Sequence, residues 1–333
     1  DDLKHPNTLD LSAFTGAEKT ASIRVESIGG GDIVVEGRPG LEPPEVYPEN
    51  SFAEIAQFCA WRQVSLPQYV EMNEGPEIWD FLKDIWNAMR KEIHDGLSAE
   101  GILPGGLNVQ RKAKYLFERG HQVDIPQVRE LQQVCAYAFA AAEQNAGNGT
   151  IVTAPTCGSC GVLPAVLLYL QDKYKFTDEK IAEALSVAGL LGCLIKRNAS
   201  VSGAECGCQA EIGTASAMAA GALVALRGGT GQQIGHAVAM ALKNLMGLVC
   251  DPVAGLVEVP CVKRNVIGAV NAVSVADMAM AGITSRIPVD EVIDAMGEVG
   301  RRMPVEFRET ALGGLAVTPT GKAINEKMRQ SRG

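Results

Sequence analysis

The sequence predicts a mainly α-helical domain preceded by a small α+β piece that carries a β-hairpin. Three observations lead there. Ala21-Ser22-Ile23-Arg24-Val25-Glu26 alternates apolar and polar residues, the period-2 pattern of a half-buried strand. From about residue 50 the apolar residues recur at helical spacing instead. Aromatic residues make up only 5% of the chain and 36 of its 333 residues are glycine, which suits closely packed helices with small contact residues.

After the first strand, Gly29-Gly30-Gly31 and Asp32-Ile33-Val34-Val35 read as a turn and a returning strand. A glycine run can also cradle phosphate, but that use needs a helix N-terminus behind it. Here the next segment is strand-like and ends at Gly37-Arg38-Pro39-Gly40. Residues 1–48 are therefore expected to be the end of a truncated α+β domain, and residues 49–333 the helical domain. Ile78, Leu82, Ile85 and Met89 fall on one helical face that Trp79 and Trp86 extend, while Glu77, Asp80, Lys83, Asp84 and Lys91 mark the wet side. A helix is expected over 126–145, stopped by Asn145-Ala146-Gly147-Asn148-Gly149. Others are expected over 162–172, 179–197, 208–227, 231–247, 263–281 and 289–303. Thr177 can cap the second of these, with Asp178 and Glu179 at the positive end of its dipole. The apolar run from Ile212 to Leu226 contains Thr214 and Ser216 and falls short of the roughly 20 residues of a membrane span. It reads as a buried helix.

With 47% apolar residues the chain can bury a large core, and its net charge of −9 argues against a nucleic-acid surface, which needs a basic face. No basic-then-apolar leader opens the sequence. Nine cysteines, an odd number, fit reduced thiols in the cytoplasm better than a disulfide framework. The first residue is Asp1 rather than Met, so an upstream segment is expected.

Cys157-Gly158-Ser159-Cys160 could be a redox dithiol at a helix start, but that chemistry expects a βαβ setting, and helices follow instead. Cys59, Cys135 and Cys193 lie in apolar helical patterns and are expected to pack. Cys206, Cys208, Cys250 and Cys261 differ, because each lies at a break in the helical pattern. Thiols at helix termini are accessible and can converge on a metal. Spacing alone leaves a metal site and a bland packing role both open.

Several ordered blocks add to this. They are Ser27-Ile28-Gly29-Gly30-Gly31; Glu100-Gly101-Ile102-Leu103-Pro104-Gly105-Gly106; Thr153-Ala154-Pro155-Thr156; Asn198-Ala199-Ser200-Val201-Ser202-Gly203-Ala204-Glu205; Gly207-Cys208-Gln209; Cys250-Asp251-Pro252-Val253-Ala254-Gly255; Val259-Pro260-Cys261; Arg264-Asn265; and Arg308-Glu309-Thr310 with Gly313-Gly314-Leu315. In them the chain resembles the iron–sulfur-dependent bacterial L-serine dehydratases (L-serine ammonia-lyases). The resemblance implies a 4Fe–4S cluster held by Cys208, Cys250 and Cys261, which lie 42 and 11 residues apart in turn. It also implies L-serine as substrate, a homodimer, and neither nucleic-acid nor membrane partners. Cys157 and Cys160 then shape a helix start beside the active site. Two departures from the family stand out. Its Ser-x-Ser-His-Thr motif is absent, none of His5, His94, His121 and His236 having that context. The terminal cysteine of some members is also missing, the chain ending Gln330-Ser331-Arg332-Gly333.

The implied reaction removes an α-proton and expels hydroxide, yielding aminoacrylate and then pyruvate and ammonia. An iron left open by three cysteine ligands acts as a Lewis acid on the hydroxyl, and a positioned base adds about 10²–10⁴-fold. Helix-start N–H groups around Thr156–Gly161, with the Thr156 and Ser159 hydroxyls, are expected to receive the carboxylate. Asn198, Ser200 and Ser202 precede a cluster cysteine and could orient substrate. Lys196, Ser202 and His236 are the candidate catalytic groups. A solvated Lys196 and a packing His236 are the blander readings, and Glu205 stands between ammonium acceptor and helix cap. The alternatives are a non-catalytic Fe–S or zinc protein, and a related 4Fe–4S hydro-lyase acting on another β-hydroxy substrate.

Overall fold

The chain begins with three antiparallel strands, β1 (Thr8–Thr15), β2 (Glu18–Gly29) and β3 (Asp32–Val35), in the order β1-β2-β3. These come from a computed structural model that describes residues 8–29, 32–38 and 45–332. The expected hairpin is β2–β3; Gly30 and Gly31 at its turn lie outside the described residues. Strand β1 is an addition to that expectation. Its register sets Leu9 opposite Val25 and Leu11 opposite Ile23, so the apolar residues of both strands share a face. On the other face Asp10 takes two hydrogen bonds of 2.7 Å from Arg24. Strand β2 approaches the short helix that precedes Cys208.

From residue 52 onward the regular elements among the described residues are helices. Helices α1 (Phe52–Arg62) and α2 (Leu66–Glu74) each start with a capping box, Ser51 with Glu54 and Ser65 with Gln68. The α1 start is also tied to α12 (Val289–Arg302), because Asp290 accepts from the Phe52 and Ala53 amides at 2.7 and 3.0 Å. Next come α3 (Ile78–Ser98), α4 (Ala113–Gly120), α5 (Pro126–Ala146), α6 (Val162–Tyr174) and α7 (Asp178–Asn198). On α3, Leu82, Trp86 and Met89 are buried as their spacing requires. Thr177 caps α7, accepting from the Lys180 amide at 3.4 Å. The chain continues through α8 (Gly203–Cys206), α9 (Thr214–Leu226), α10 (Gly231–Leu245), α11 (Cys261–Met280), α12 and α13 (Pro319–Arg332).

Helix α9 is the axis of the fold. It is buried from Thr214 to Val224 and packs against α6, α7, α10 and α11. Small residues make that possible: a Cβ on Gly221 would lie 2.3 Å from Leu191 Cδ1 on α7, so only glycine lets the two helices approach this closely. Among the described residues no helix is long and apolar enough to cross a membrane. One expected element is divided. The helix expected over 208–227 opens with a π-helical turn, Gln209–Gly213, before α9 begins. Such widened turns are frequent at functional sites, and this one follows Cys208 directly.

Candidate active site around three thiols

Three separate segments carry Cys208, Cys250 and Cys261 to one place, and each is fixed by its backbone. Cys208 follows Gly207, whose φ of +71° lies in the left-handed region and whose Cβ position is 2.6 Å from Met303 Sδ, so glycine is required there. Gln209 then bonds through its amide N–H to Leu248 O at 2.9 Å and through Oε1 to the Gly247 amide at 2.8 Å. This ties Cys208 to the segment leading to Cys250. Cys250 pairs with the 305–311 loop: its N–H donates to Phe307 O at 2.8 Å and its carbonyl accepts from Glu309 at 3.0 Å. Cys261 is the first residue of α11. Its carbonyl accepts from Asn265 at 3.0 Å, and the same Asn265 nitrogen donates to Gly158 O at 2.8 Å. The buried Asn265 therefore bolts the 153–161 loop to the start of α11.

The three thiols are 1, 2 and 5% exposed and lie close enough to perturb one another's ionisation. The Cys250 contact pulls the Cys208 thiol down, but the Cys261 contact and burial outweigh it and leave it at about 12. Cys250 is raised, mainly by its bonds to Cys208 and Cys261. Cys261 is lowered by the same two neighbours. All three can ionise together only beside a positive charge. Arg264 supplies part of it, with Nη1 3.6 Å from Cys208 Sγ and 2.8 Å from Val249 O. Buried Asp251 holds Arg264, accepting from its Nη2 at 2.8 Å and from the Leu315 amide at 2.8 Å.

Glu211, on the π-helical turn, is the residue that the sequence reading missed. One ligand atom each of Cys208, Glu211 and Cys250 lies within 4.8 Å of the other two. Glu211 Oε1 accepts from Thr156 Oγ1 at 2.7 Å, and Oε2 is 3.9 Å from Cys208 Sγ. Burial, then the neighbouring Cys208 and Glu309, push its carboxyl well above the usual range. Two glycines make room for it. A Cβ on Gly158 would meet Oε1 at 2.8 Å, and one on Gly203 would meet Oε2 at 2.7 Å and Glu309 Oε2 at 3.5 Å. Glu309 itself has φ of +63°, a strained conformation for a residue with a side chain, held by its bond to Cys250.

Of the other expected site residues, Thr156 and Ser202 adjoin this centre, Thr156 through Glu211 and Ser202 as the N-cap before Gly203. The others are placed as follows. Ser159 is fully buried, with its hydroxyl shared between Thr156 Oγ1 at 3.1 Å and nearby carbonyls, so it shapes the loop. The amides expected to take a carboxylate are engaged: Gly161 N–H donates to Asn265 Oδ1 at 2.9 Å, and those of Ser159 and Cys160 close a 3₁₀ turn. Asn198 donates to Asn50 O and Leu194 O at 2.9 and 3.0 Å, bracing the end of α7. Ser200 donates to the exposed Glu205 at 2.6 Å and accepts from the Ser202 amide at 3.0 Å. Lys196 is exposed and lines a separate surface pocket with Tyr47, Glu74 and Cys193. His236 Nδ1 accepts from the Ser285 amide at 3.3 Å, within the packing of α10. Cys206 faces α12, where a Cβ on Gly300 would meet its sulfur at 2.3 Å. Cys160 is buried against Ala141 O, whereas Cys157 is exposed.

The family model described as "Serine dehydratase alpha chain" matches residues 40–316. The chain is 40% identical over 329 residues to "L-serine dehydratase TdcG" of Escherichia coli (strain K12), covering 94% of this chain and 72% of that protein. It is 50% identical over 234 residues to "Probable L-serine dehydratase, alpha chain" of Bacillus subtilis (strain 168), covering 70% of this chain and 76% of that one. An "L-serine dehydratase" of Streptomyces coelicolor is 40% identical over 328 residues, with 94% and 72% covered.

Proposed function

The chain belongs to the serine dehydratase alpha chain family, and from that premise we propose that it converts L-serine to pyruvate and ammonia at the Cys208–Cys250–Cys261 centre. The observation that supports this reading is that Cys208, Cys250 and Glu211 bring one ligand atom each within 4.8 Å of one another, with the buried Cys261 close enough to both thiols to perturb them. Three thiols are a donor set that fits an iron–sulfur cluster with one open position, and these residues would hold it. Such a group, when bound, supplies a Lewis acid that eases departure of the serine hydroxyl.

The chain's own residues supply the rest. Arg264, anchored by Asp251, favours the thiolate form of Cys208. Thr156 fixes Glu211 through Oε1 and directs Oε2 toward the thiols. Glu309, whose carboxylate stands next to Glu211 at Gly203, takes the substrate ammonium. Burial of the whole group lowers the local dielectric, so each of these charges acts more strongly than it would in water.

A second reading has its own support. Ligand atoms of Cys208, Glu211 and Cys250 within 4.8 Å also suit a single tetrahedral zinc ion. Metal and sulfide analysis separates the two. The test of the proposal is pyruvate release from L-serine by protein loaded anaerobically with iron and sulfide. Activity should vanish in air and return with iron and reductant. Loaded protein that makes no pyruvate contradicts the proposal, as does activity that survives full removal of metal.

A further inference from the structure

We propose that Glu211 is the oxygen ligand of the coordination position that the three thiols leave open, and that the substrate displaces it. The inference rests on the cluster reading above and adds a residue to it. Four features of Glu211 support it. It is the non-cysteine member of the group whose ligand atoms lie within 4.8 Å of one another. Its two oxygens are differently employed: Oε1 is taken by Thr156 at 2.7 Å, while Oε2 is turned to Cys208 at 3.9 Å. It is buried, only 9% exposed. A carboxylate this deep carries its charge only beside a positive partner or a metal. Finally, the fold is cut to its shape, because the loop carrying Gly158 and the helix carrying Gly203 both lack the methylene that would collide with its oxygens at 2.8 and 2.7 Å.

Packing alone would not produce this combination. A buried carboxylate with a purely structural task satisfies backbone amides, as Glu143 does with those of Lys112 and Ala113. Among the described residues, Glu211 accepts only from the Thr156 hydroxyl and the Cys208 thiol. One-point fixation through Oε1 also leaves the carboxylate able to pivot, which a displaceable ligand must do.

The experiment uses the full chain grown with ¹³C-labelled glutamate and loaded anaerobically with iron and sulfide. Electron–nuclear double resonance on the reduced cluster should show a ¹³C coupling from the carboxylate bound at the open position. The coupling should disappear when L-serine is added, and should be absent from a Glu211→Gln variant that retains its iron and sulfide. Cluster-loaded wild type with no such coupling overturns the inference and leaves the family reading intact. A coupling that persists in Glu211→Gln overturns the assignment to Glu211. Wild type that takes up no iron and sulfide defeats the cluster reading and this inference together. Should Glu211→Gln fail to fold, the labelled wild type with and without serine still decides.

Discussion

Replacing Gly158 by alanine tests the carboxylate cradle with a single methyl. The new Cβ would stand 2.8 Å from Glu211 Oε1, against 3.4 Å for the onset of ordinary contact. Glu211 must therefore retreat by about 0.6 Å or the 153–161 loop must lift. The move disturbs the 2.7 Å hydrogen bond that Oε1 accepts from Thr156. The loop resists lifting because Asn265 holds both Gly158 O and the Gly161 amide, at 2.8 and 2.9 Å. Overpacking of this kind costs about 1–3 kcal/mol. Misplacing a reacting group by about 1 Å can cost ~10²-fold in rate, so a roughly 10- to 100-fold drop in kcat is expected. The assay is pyruvate release at saturating L-serine, alongside thermal unfolding and the iron content of the same preparation. Gly189→Ala is the control. Its Cβ would meet nothing within 4 Å, and its position inside α7 predicts a gain of about 0.5–1 kcal/mol with unchanged kcat. A Gly158→Ala enzyme with full iron and wild-type kcat would refute the reasoning.

Other consequences can be measured independently. Asp251→Ala leaves Arg264 without its buried partner and the Leu315 amide without an acceptor; we expect a loss of about 3–5 kcal/mol in denaturant unfolding, and a loss under 1 kcal/mol would contradict the assigned role. Glu309→Gln should raise KM for L-serine roughly 10- to 100-fold, the range of a charged hydrogen bond, with kcat changed far less; an unaltered KM would remove Glu309 from ammonium binding. Glu92 is held at about 8 by burial, opposed by its bond from the Val152 amide. Because its folded value lies above the unfolded value of 4.5, its contribution to stability is fully present below pH 4.5 and lost as the pH rises toward 8. Glu92→Gln keeps the acceptor for Val152 and should flatten that decline, being more stable than wild type at pH 8 by up to a few kcal/mol. Parallel pH–stability curves for the two proteins would show that Glu92 does not titrate in this window.

Breaks in the helical pattern set Cys206, Cys208, Cys250 and Cys261 apart, and the resemblance alone singles out Cys208, Cys250 and Cys261. Cys208 and Cys261 directly follow Gly207 and Pro260, and Pro252 lies two residues after Cys250, punctuation that ends helices and leaves side chains free to converge. The helical frame followed from periodicity in the same way, and α5, α10 and α12 lie within two residues of their expected bounds. Proximity in sequence misled where it stood in for proximity in space. Asn198 and Ser200 precede Cys208 closely, yet the end of α7 turns the first to Asn50 and the second to Glu205. Glu211 has a readable signal, an acid three residues after Cys208 at the head of an apolar run. It was hidden by treating 208–227 as one regular helix, whereas a π-helical turn re-aims precisely those residues toward the thiols. Glu309 was quoted as part of the motif without a role, because only the backbone pairing of Cys250 with the 307–309 segment brings it to the site. Strand β1 went unassigned although Leu9, Leu11 and Ala13 alternate.

The most direct test of the account compares wild type with Cys250→Ser, both prepared anaerobically with their full sequence, for iron, acid-labile sulfide and pyruvate formation from L-serine. Wild type should carry about four irons and a matching amount of sulfide and release pyruvate, while the variant, missing one of the three converging thiols, should lose both together. A Cys250→Ser protein that retained cluster and activity, or a wild type active with no iron at all, would contradict it.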